Sequence, residues 1–429
     1  MSAVSVFDDA ELPALFAGLE ASAGLALAVS GGPDSLGLLA LIVRWRALLV
    51  APPPTVVLTV DHGLRPEAGA EAAFVGALSA RCGLAHETLV WEGEKPRADL
   101  QSAARAARYR LLGSRAAELG CDRLLVAHTL DDQAETLLMR LGRGSGLYGL
   151  AAMRPRSVAE GVTLERPLLG VPRARLVATL EAQGWAWIED PSNQDRHYGR
   201  VRMRQLMESL AEEGLTAERL TATARRLRRA ADVLDRLVAS LAATALTLHH
   251  EAVAELNVPA LATAEPEIAL RLVSRLLRHV GATDYGPRLD ALEAAFAAAL
   301  AQDGRRTLNG VVLDRRADRL WLYREAGRTG LPVVSLQPGD SVLWDDRFRV
   351  SLAANAACAM TLGALGHWPQ RARDIAPARL AASGLPAEAR DTLPALARED
   401  SVVAVLGLTP LPPALSIHRP DRFDPARDD

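Results

Sequence analysis

The sequence predicts an α/β protein, with a parallel-sheet domain followed by a helix-rich domain and a small C-terminal domain. From Leu25 to about Asp190, short apolar runs alternate with amphipathic stretches, a pattern typical of repeated βα units. A glycine-rich turn joins the first apolar run to an apolar helix. At 429 residues the chain also exceeds the usual size of one domain. We expect domain boundaries at 1–212, 213–329 and 330–429.

The first domain contains three runs with the composition of buried strands. They are Leu25–Val29, Thr55–Val60 and Arg123–Ala127, and each ends where polar residues begin. In open parallel sheets, ligands bind beyond the carboxyl ends of the strands. We therefore expect the chemistry of this protein in the polar segments that follow these runs.

The second and third domains are separated by a change of pattern. Ala, Leu and Arg at helical spacing predict one long helix from Thr216 to about His249. Further helices are predicted at 266–279 and 287–302. Pro and Gly interrupt this pattern between 330 and 340, and residues 347–351 then predict a strand. A small third domain is therefore expected from residue 330.

The composition limits the classes of function. The formal net charge is -3, so binding to a nucleic acid would have to depend on local basic patches. Cys82, Cys121 and Cys358 lie far apart, which argues against disulfides and thiolate metal sites.

The start of the chain bears on where the protein is located, and its tail bears on local order. The first twenty residues carry Asp8, Asp9 and Glu11 and lack an export signal, and no long uncharged stretch follows. We expect a cytoplasmic protein with no membrane contact. The charged, proline-rich tail from 410 is expected to be loosely ordered.

The glycine turn after the first strand predicts an anion site. Its residues are Ser30, Gly31, Gly32, Pro33, Asp34 and Ser35. The two glycines allow close backbone approach, and the helix that follows offers unpaired N–H groups to an anion. Asp34 would repel phosphates unless a cation lay between them, which indicates Mg²⁺. A tight turn that caps the helix is the alternative.

Two further segments are expected to reach the same crevice. After the second strand, the segment from Asp61 to Arg65 places an acid and a base where adenine, ribose or phosphate would bind, although a capped turn is an equal alternative. On a predicted helix, Arg105 and Arg108 share one face with Tyr109. That face suits phosphate or solvent equally.

The third strand is followed by a cluster of titratable residues. His128, Asp131, Asp132 and Glu135 lie at the strand end and in the first helical turns. A metal site is one interpretation, and acidic residues favoured by the helix dipole are another. Arg140 and Arg143, with the glycines at 144 and 146, would suit a mobile loop near phosphate.

Taken in order, these segments resemble the tRNA(Ile)-lysidine synthase family of the PP-loop ATP pyrophosphatase class. The S-G-G-x-D-S pattern at 30–35 is the pyrophosphate loop of that class, and no Walker motif is present. The matching segments are spread over about half of the chain. They are 30–35, 61–65, 104–109, 128–136, 143–146, 166–169 and 189–193, with Arg200 and Arg202. The sequence departs from the family pattern at Val201, where many members have Asn, and near Tyr148, where they have an acid.

The resemblance implies an adenine nucleotide α-hydrolase-like fold and a two-step reaction. The wobble cytidine of a CAU-anticodon tRNA(Ile) is adenylated by ATP with release of pyrophosphate, and free L-lysine then displaces AMP at carbon 2. The implied partners are this tRNA and lysine, the implied cofactors are ATP and Mg²⁺, and a homodimer is compatible with the sequence.

The implied roles fall on residues already named. ATP is bound by Ser30, Gly31, Gly32, Pro33, Asp34, Ser35, Asp61 and Arg105, with Mg²⁺ on Asp34. Lysine is bound by Asp131, Asp132 and Glu135, and catalysis rests on Asp34, His128 and Asp132. The tRNA is bound by Arg108, Arg143, Arg200 and Arg202. Two basic stretches are candidates for the rest of the tRNA: Arg196, Arg200, Arg202 and Arg204, and then Arg225, Arg226, Arg228 and Arg229. A solvated helix face is an equal alternative for the second stretch.

Three rival functions fit the sequence less well. The tRNA thiolases share the loop but need cysteine pairs, which this chain lacks. Asparagine and GMP synthetases need a nucleophilic cysteine in a glutamine-hydrolysing domain, and no cysteine precedes Cys82. A non-catalytic RNA-binding protein is the third rival, and the presence of Asp34, His128 and Asp132 argues against it.

Overall fold

The computed structural model describes most of the chain. The residues described are 4–63, 68–93, 95, 100–189, 199–283, 286–328, 330–368, 379, 382–399, 401–419 and 423–425, without the side chains of 101, 102 and 200. The chain divides into two compact units between Ala231 and Asp232. The division into three domains stays a prediction. Among the described residues, no helix is long and apolar enough to cross a membrane.

The first unit is built on a six-stranded sheet with the order β3-β2-β1-β4-β6-β5. The strands are β1 Leu25–Ala28, β2 Thr55–Asp61, β3 Ala85–Val90, β4 Arg123–Leu125, β5 Arg156–Ala159 and β6 Val162–Glu165. Five strands are parallel, and β5 pairs antiparallel with β6 at one edge. Because β2 and β4 flank β1 on opposite sides, the strand order reverses at β1. A ligand crevice is expected at this switch point.

Helices cover both faces of this sheet. They are α1 Leu12–Leu15, α2 Pro33–Ala47, α3 Ala68–Arg81, α4 Leu100–Glu118, α5 Leu130–Leu141, α6 Leu147–Leu150, α7 Arg173–Ala182 and α8 Gly199–Glu212, with a 3₁₀ turn at Asp9–Glu11. Leu25 and Leu27 pack with α2 and α7, whereas Ala26 packs with α4 on the other face. The three apolar runs are therefore confirmed as buried parallel strands.

The second unit begins within a long helix and continues into an antiparallel sheet. Its first helices are α9 Ala217–Ala245, α10 Val258–Thr263, α11 Pro266–Gly281 and α12 Leu289–Ala301. The sheet has the order β7-β8-β11-β10-β9. Its strands are β7 Leu246–His249, β8 Val253–Asn257, β9 Gly304–Leu308, β10 Val311–Arg316 and β11 Arg319–Arg324.

One helix boundary differs from the sequence prediction. The helix expected to continue to about His249 ends at Ala245, and the next four residues form β7. Leu246 pairs with Leu256 of β8, so the last residues of the apolar pattern belong to a hairpin. The helices predicted at 266–279 and 287–302 are confirmed as α11 and α12.

The rest of the second unit contains two small sheets that share one core. The strands are β12 Val334–Leu336, β13 Ser341–Trp344, β14 Phe348–Leu352, β15 Met360–Ala364, β16 Pro394–Arg398, β17 Ser401–Val405 and β18 Leu415–His418, with α13 at Ala387–Arg390 and a 3₁₀ turn at Leu365–His367. The sheet orders are β12-β15-β16-β17 and β13-β14-β18. Trp344, Phe348 and Leu362 are buried together between them. The predicted fold class is confirmed.

Candidate active site

The turn after β1 forms a compact loop at the start of α2. The backbone N–H of Ser30 donates to Ser35 Oγ at 3.2 Å, and Ser35 Oγ donates to the carbonyl of Gly32 at 3.0 Å. Gly31 has φ +87°, and a Cβ there would lie 2.9 Å from Ile188 Cδ1. Glycine is therefore required at this position. Because Gly32 has no side chain to cap α2, the first amides of the helix remain available to an anion.

A crevice opens beyond the carboxyl ends of β1, β2 and β4. Its volume is about 660 Å³, within the range of nucleotide and cofactor sites. Residues that follow all three strands line it, together with side chains from α4, α7 and α8. Among them are Ser30, Gly32, Pro33, Asp34, Ser35, His62, Arg108, Tyr109, His128, Arg173, Trp187 and Arg204. The strand-end segments expected to meet at one edge of the sheet do meet there.

Asp34 forms an ion pair with Arg173. Arg173 Nε lies 2.9 Å from each carboxylate oxygen of Asp34, and Nη2 donates to Oδ2. Burial raises the pKa of Asp34; the hydrogen bonds from Arg173 oppose this rise, and the charges of Asp132 and Asp131 add to it. Burial acts to lower the pKa of Arg173, but hydrogen bonding and the charge of Asp34 outweigh it and raise that pKa. Arg173 therefore stays cationic in the crevice.

Arg173 is a site residue that the sequence patterns did not indicate. It is the first residue of α7, after Pro172 at the N-cap, and its backbone N–H donates to Asp131 Oδ2 at 2.8 Å. One residue thus contacts both the loop after β1 and the start of α5. The sequence contained a signal that could have indicated this residue. Arg173 is a basic residue directly after a proline, where helices often begin, and it lies seven residues after Arg166.

The first turn of α5 is closed by a capping box. Thr129 donates to Asp132 Oδ2 from its backbone N–H at 2.8 Å and from Oγ1 at 3.1 Å. In return, the backbone N–H of Asp132 donates to Thr129 Oγ1 at 3.4 Å. One oxygen of Asp132 therefore serves the helix N-terminus, which is the alternative that the sequence left open. His128, just before this turn, is buried in the lining of the crevice.

Glu135 is buried one turn further along α5. Only 2% of its side chain is exposed, and Arg204 Nε of α8 donates to its Oε1 at 3.0 Å. Its Oε2 is buried without a hydrogen-bond partner among the described residues. Burial raises the pKa of Glu135, the charge of Arg204 lowers it, and the charge of Asp132 raises it further. A buried carboxylate oxygen without a partner is unfavourable, and a cationic ligand would relieve it.

Three of the residues assigned to ATP are not in the lining of the crevice: Gly31, Asp61 and Arg105. The residues assigned to lysine, Asp131, Asp132 and Glu135, are not in it either. Asp61 Oδ1 accepts a hydrogen bond from the backbone N–H of Gly63 at 2.7 Å, which closes a local turn. The guanidinium of Arg105 lies 5.0 Å from the centre of the Tyr109 ring and that of Arg108 lies 5.4 Å from it. Of these two arginines, only Arg108 lines the crevice. Arg65 lies outside the described residues.

The arginines assigned to RNA differ in what they contact. Arg143 and Arg202 are exposed, whereas Arg140 donates to the carbonyls of Gly149 and Ala152 at 3.0 and 3.1 Å. Arg140 therefore has a structural role instead of the position near phosphate that we expected for it. The side chain of Arg200 lies outside the described residues, as do Arg196 and residues 190–193.

The two departures from the family pattern have simple structural roles. Val201 is 7% exposed and packs as an apolar residue of α8. Tyr148, in α6, donates through its hydroxyl to the carbonyl of Ala231 at 3.3 Å. Neither departure changes a residue that lines the crevice.

The donor set around Asp34 fits a magnesium ion that is shared with a phosphate ligand. Among the described residues, no group of three or more His, Cys, Asp and Glu side chains could hold a metal alone. Mg²⁺ usually binds one or two carboxylates and takes its other ligands from substrate phosphates and water. Asp34, with Asp131 and Asp132 close enough to affect its pKa, meets that requirement. A cation there would compete with Arg173 for the carboxylate.

Comparison with known proteins gives consistent results. Residues 8–210 match the ATP_bind_3 family, a PP-loop domain. The chain is 46% identical over 318 residues to the tRNA(Ile)-lysidine synthase of Bradyrhizobium sp. strain BTAi1, which covers 72% of this chain and 87% of that protein. The enzymes of the same name from Ruegeria pomeroyi and Wolbachia pipientis wMel are 41% and 33% identical, over 76% and 80% of this chain and 75% and 80% of their own.

Two solved structures are similar to part of the chain at low sequence identity. The U34-tRNA thiolase NcsA from Methanococcus maripaludis has a TM-score of 0.45 and 17% identity, over 51% of this chain and 77% of that one. NMN synthetase from Francisella tularensis has a TM-score of 0.34 and 12% identity, over 51% and 94%. Neither similarity carries an argument about function. The family is shown instead by the match to the PP-loop domain and by the identity to these relatives over most of their length. This chain belongs to the tRNA(Ile)-lysidine synthase family.

Proposed function

We propose that this protein ligates lysine to carbon 2 of the wobble cytidine of a CAU-anticodon tRNA(Ile), with cleavage of ATP to AMP and pyrophosphate. The observation that carries the proposal is that Arg173 contacts two segments of the predicted site. In the crevice, its guanidinium pairs with Asp34 beside the nucleotide loop, and its backbone N–H donates to Asp131 at the start of α5, the helix that also carries Asp132 and Glu135.

In the first step, the O2 oxygen of cytosine bonds to the α-phosphorus of ATP, and the bond to the β-phosphate oxygen breaks. Negative charge develops on the leaving pyrophosphate. The amides at the start of α2 and the Arg173 guanidinium supply positive potential where that charge forms. Mg²⁺, when held by Asp34, would neutralise phosphate charge. In this account, Arg173 exchanges its bond to Asp34 for a bond to phosphate.

In the second step, the side-chain amine of lysine bonds to carbon 2, and AMP leaves with the O2 oxygen. Free lysine carries an ammonium group at neutral pH, so the site must bind a cation and then accept its proton. The partnerless Oε2 of Glu135 supports an ammonium site, with Asp132 and Asp131 as neighbours. Burial raises the pKa of Glu135, which makes this carboxylate a better proton acceptor than an exposed one. His128 offers a second acceptor at the crevice wall.

The cytosine has to leave its stack in order to reach the crevice. This costs less in a single-stranded anticodon loop than in a duplex. Arg108 at the crevice, exposed Arg143 and Arg202, and Arg200 are proposed to hold the RNA backbone. Asp61 and Arg105 remain proposed ATP residues, although neither lines the crevice.

The reaction is tested by withholding one component at a time. With ATP, CAU-anticodon tRNA and lysine all present, we expect equal amounts of AMP, pyrophosphate and lysidine, the last measured by mass spectrometry of nucleosides. Without tRNA, pyrophosphate release should fall to background. If tRNA binds but the complete mixture releases no pyrophosphate, the protein is a non-catalytic RNA-binding member of the fold. A sulfur-containing wobble base would identify a thiolase instead.

A further inference from the structure

A second cavity in the first unit lies apart from the crevice. Its volume is about 960 Å³, and it shares no lining residue with the crevice. Gln133 lines this cavity and follows Asp132 directly in α5. The same helix therefore carries the proposed catalytic carboxylates and part of the wall of the second cavity. The reaction proposed above makes no use of this cavity.

The inner wall of the second cavity is apolar and held by fixed hydrogen bonds. Phe16, Leu19 and Leu169 are buried in it, and the wall also contains Met153, Pro155 and Pro167. The Gln133 side chain donates to the carbonyl of Met153 at 3.0 Å and accepts from its N–H at 2.8 Å. The wall is therefore a formed surface that can receive a flat apolar group.

The rim of the second cavity is strongly basic. Six arginines and one glutamate line it: Arg156, Arg166, Arg225, Arg226, Arg228, Arg229 and Glu165. This is a formal excess of five positive charges, in a chain whose net charge is -3. Such a local excess in an acidic chain favours an anionic ligand.

Three of these arginines bind other groups of the protein. Arg156 pairs with Glu165 at 2.9 Å, Arg166 donates to the carbonyl of Arg154 at 2.9 Å, and Arg228 donates to the carbonyl of Ala152 at 3.1 Å. The other three, Arg225, Arg226 and Arg229, are exposed on α9. No hydrogen bond or ion pair joins these three to another residue in the described part of the chain.

We propose that this cavity binds an unstacked nucleotide of the anticodon loop other than the wobble nucleotide. The apolar wall packs against the base, and Arg225, Arg226 and Arg229 bind the flanking phosphates. Proteins that bind single-stranded nucleic acid combine a basic groove with stacking surfaces in this way. This inference rests on the proposed function, because it takes the RNA to be the substrate of that reaction.

The phosphate contacts are tested by removing charge from α9. The triple variant Arg225→Gln, Arg226→Gln and Arg229→Gln should bind an anticodon stem-loop RNA at least tenfold more weakly. Its plot of log affinity against log salt should lose a slope of about 2, since each single-strand phosphate contact contributes about 0.7. Arg236→Gln is the matched control, an exposed arginine on the same helix outside the cavity. Equal slopes for the triple variant and the wild type would overturn the phosphate contacts.

The base contact is tested by filling the cavity without changing its charge. Ala222 lines the cavity, whereas Ala230 is exposed on the same helix outside it. The RNA carries 2-aminopurine in turn at each unpaired loop position except the wobble position. Wild type and Ala230→Trp should change the fluorescence at one such position. Ala222→Trp should abolish that change and raise the KM for RNA about tenfold, with kcat retained at saturating RNA.

The outcomes separate this inference from the proposed reaction. If wild type binds the RNA without a fluorescence change at any position, or if Ala222→Trp behaves like Ala230→Trp, the cavity does not hold a base. Unchanged RNA affinity in both sets of variants would assign the cavity to a partner of another class and overturn the proposal. RNA binding and fluorescence decide these points even if wild type releases no pyrophosphate, which is the result that refutes the proposed reaction.

Discussion

At the scale of single residues, Arg173 contacts both the segment after β1 and the start of α5. Its guanidinium binds Asp34 beside the glycine loop, and its backbone N–H binds Asp131 on α5. A guanidinium keeps its charge when buried and presents a fixed fork of donors that suits phosphate oxygens. These properties fit a residue that exchanges a carboxylate for a phosphate during the reaction.

We predict that Arg173→Ala lowers kcat for pyrophosphate release by about 10² to 10³, the usual loss when one charge-stabilising donor is removed. Arg173→Lys should recover part of the rate, because an ammonium supplies the charge without the fork. The matched control is Arg175→Ala, on the same helix, whose guanidinium binds Glu11 instead. A rate for Arg173→Ala within threefold of wild type would limit Arg173 to a structural role.

The sequence predicted those parts of the site that are local in the chain. Gly31, Asp34 and His128 follow strands directly, so strand, turn and helix patterns were enough to locate them. Arg173 lies 139 positions from Asp34, and no local pattern joins two residues so far apart. The pairing of Glu135 with Arg204 was missed for the same reason. The sequence analysis allowed that the helix dipole favours acidic residues here, but it did not identify the capping box of Asp132 with Thr129.

At the scale of elements, α8 presents two arginines in different environments. Arg202 is exposed, while Arg204, two residues later, donates to buried Glu135. Residues two apart on a helix do not share a face. Arg202 and Arg204 therefore point in different directions from α8, and Arg204 is directed at the proposed lysine site.

We predict that Arg202→Ala and Arg204→Ala have different effects. Loss of Arg202 should reduce the salt-dependence slope of tRNA binding by about one unit and leave the KM for lysine unchanged. Loss of Arg204 should leave that slope unchanged and raise the KM for lysine about tenfold, because a neutral Glu135 binds an ammonium poorly. Binding titrations across salt and steady-state kinetics measure the two effects. The same change of slope in both variants would contradict this division.

Elements were predictable where one structural period dominated. The continuous apolar runs of β1, β2 and β4 indicated strands that are buried on both faces, and the apolar residues of α11 and α12 recur at helical spacing. β3 was not predicted, because no residue of Ala85–Val90 is fully buried and the segment contains His86 and Glu87. The end of α9 was misplaced because alternation in Leu246–His249 is too short to distinguish from a helical pattern.

At the scale of the whole molecule, the residues of the proposed active site belong to the first unit, and the second unit has its own determinants of stability. The side chain of His279 in α11 is 8% exposed and lies 3.3 Å from Glu251, and its ring packs on Phe423 with centroids 5.2 Å apart. Burial lowers the pKa of His279; nearby Glu251 opposes this shift, and the charge of Arg419 adds to it.

We predict that this histidine makes the second unit less stable in mild acid. In the unfolded chain, a histidine binds a proton near pH 6.5, whereas folded His279 binds one only at lower pH. The unfolded state therefore binds more protons as the pH falls below about 6.5, and the free energy of unfolding decreases until the folded pKa is reached. Urea midpoints at pH 7.5 and 5.5 should differ less in His279→Gln than in wild type. The control, exposed His418→Gln, should keep the wild-type difference, and a control that behaves like His279→Gln would refute the assignment.

We propose that the two chemical steps depend on different carboxylates, with Asp34 serving adenylation and Asp132 serving lysine transfer. The direct measurement is a single-turnover reaction with α-labelled ATP and CAU-anticodon tRNA, in which label on the RNA is followed before and after lysine is added. Asn at 132 can still accept the hydrogen bonds from Thr129 but lacks the charge that binds an ammonium. Asp132→Asn should therefore accumulate labelled RNA that lysine does not discharge, while Asp34→Ala should bind tRNA and form no labelled RNA. If Asp132→Asn forms no labelled RNA, Asp132 acts on the ATP side of the crevice, and this division of the two steps is wrong.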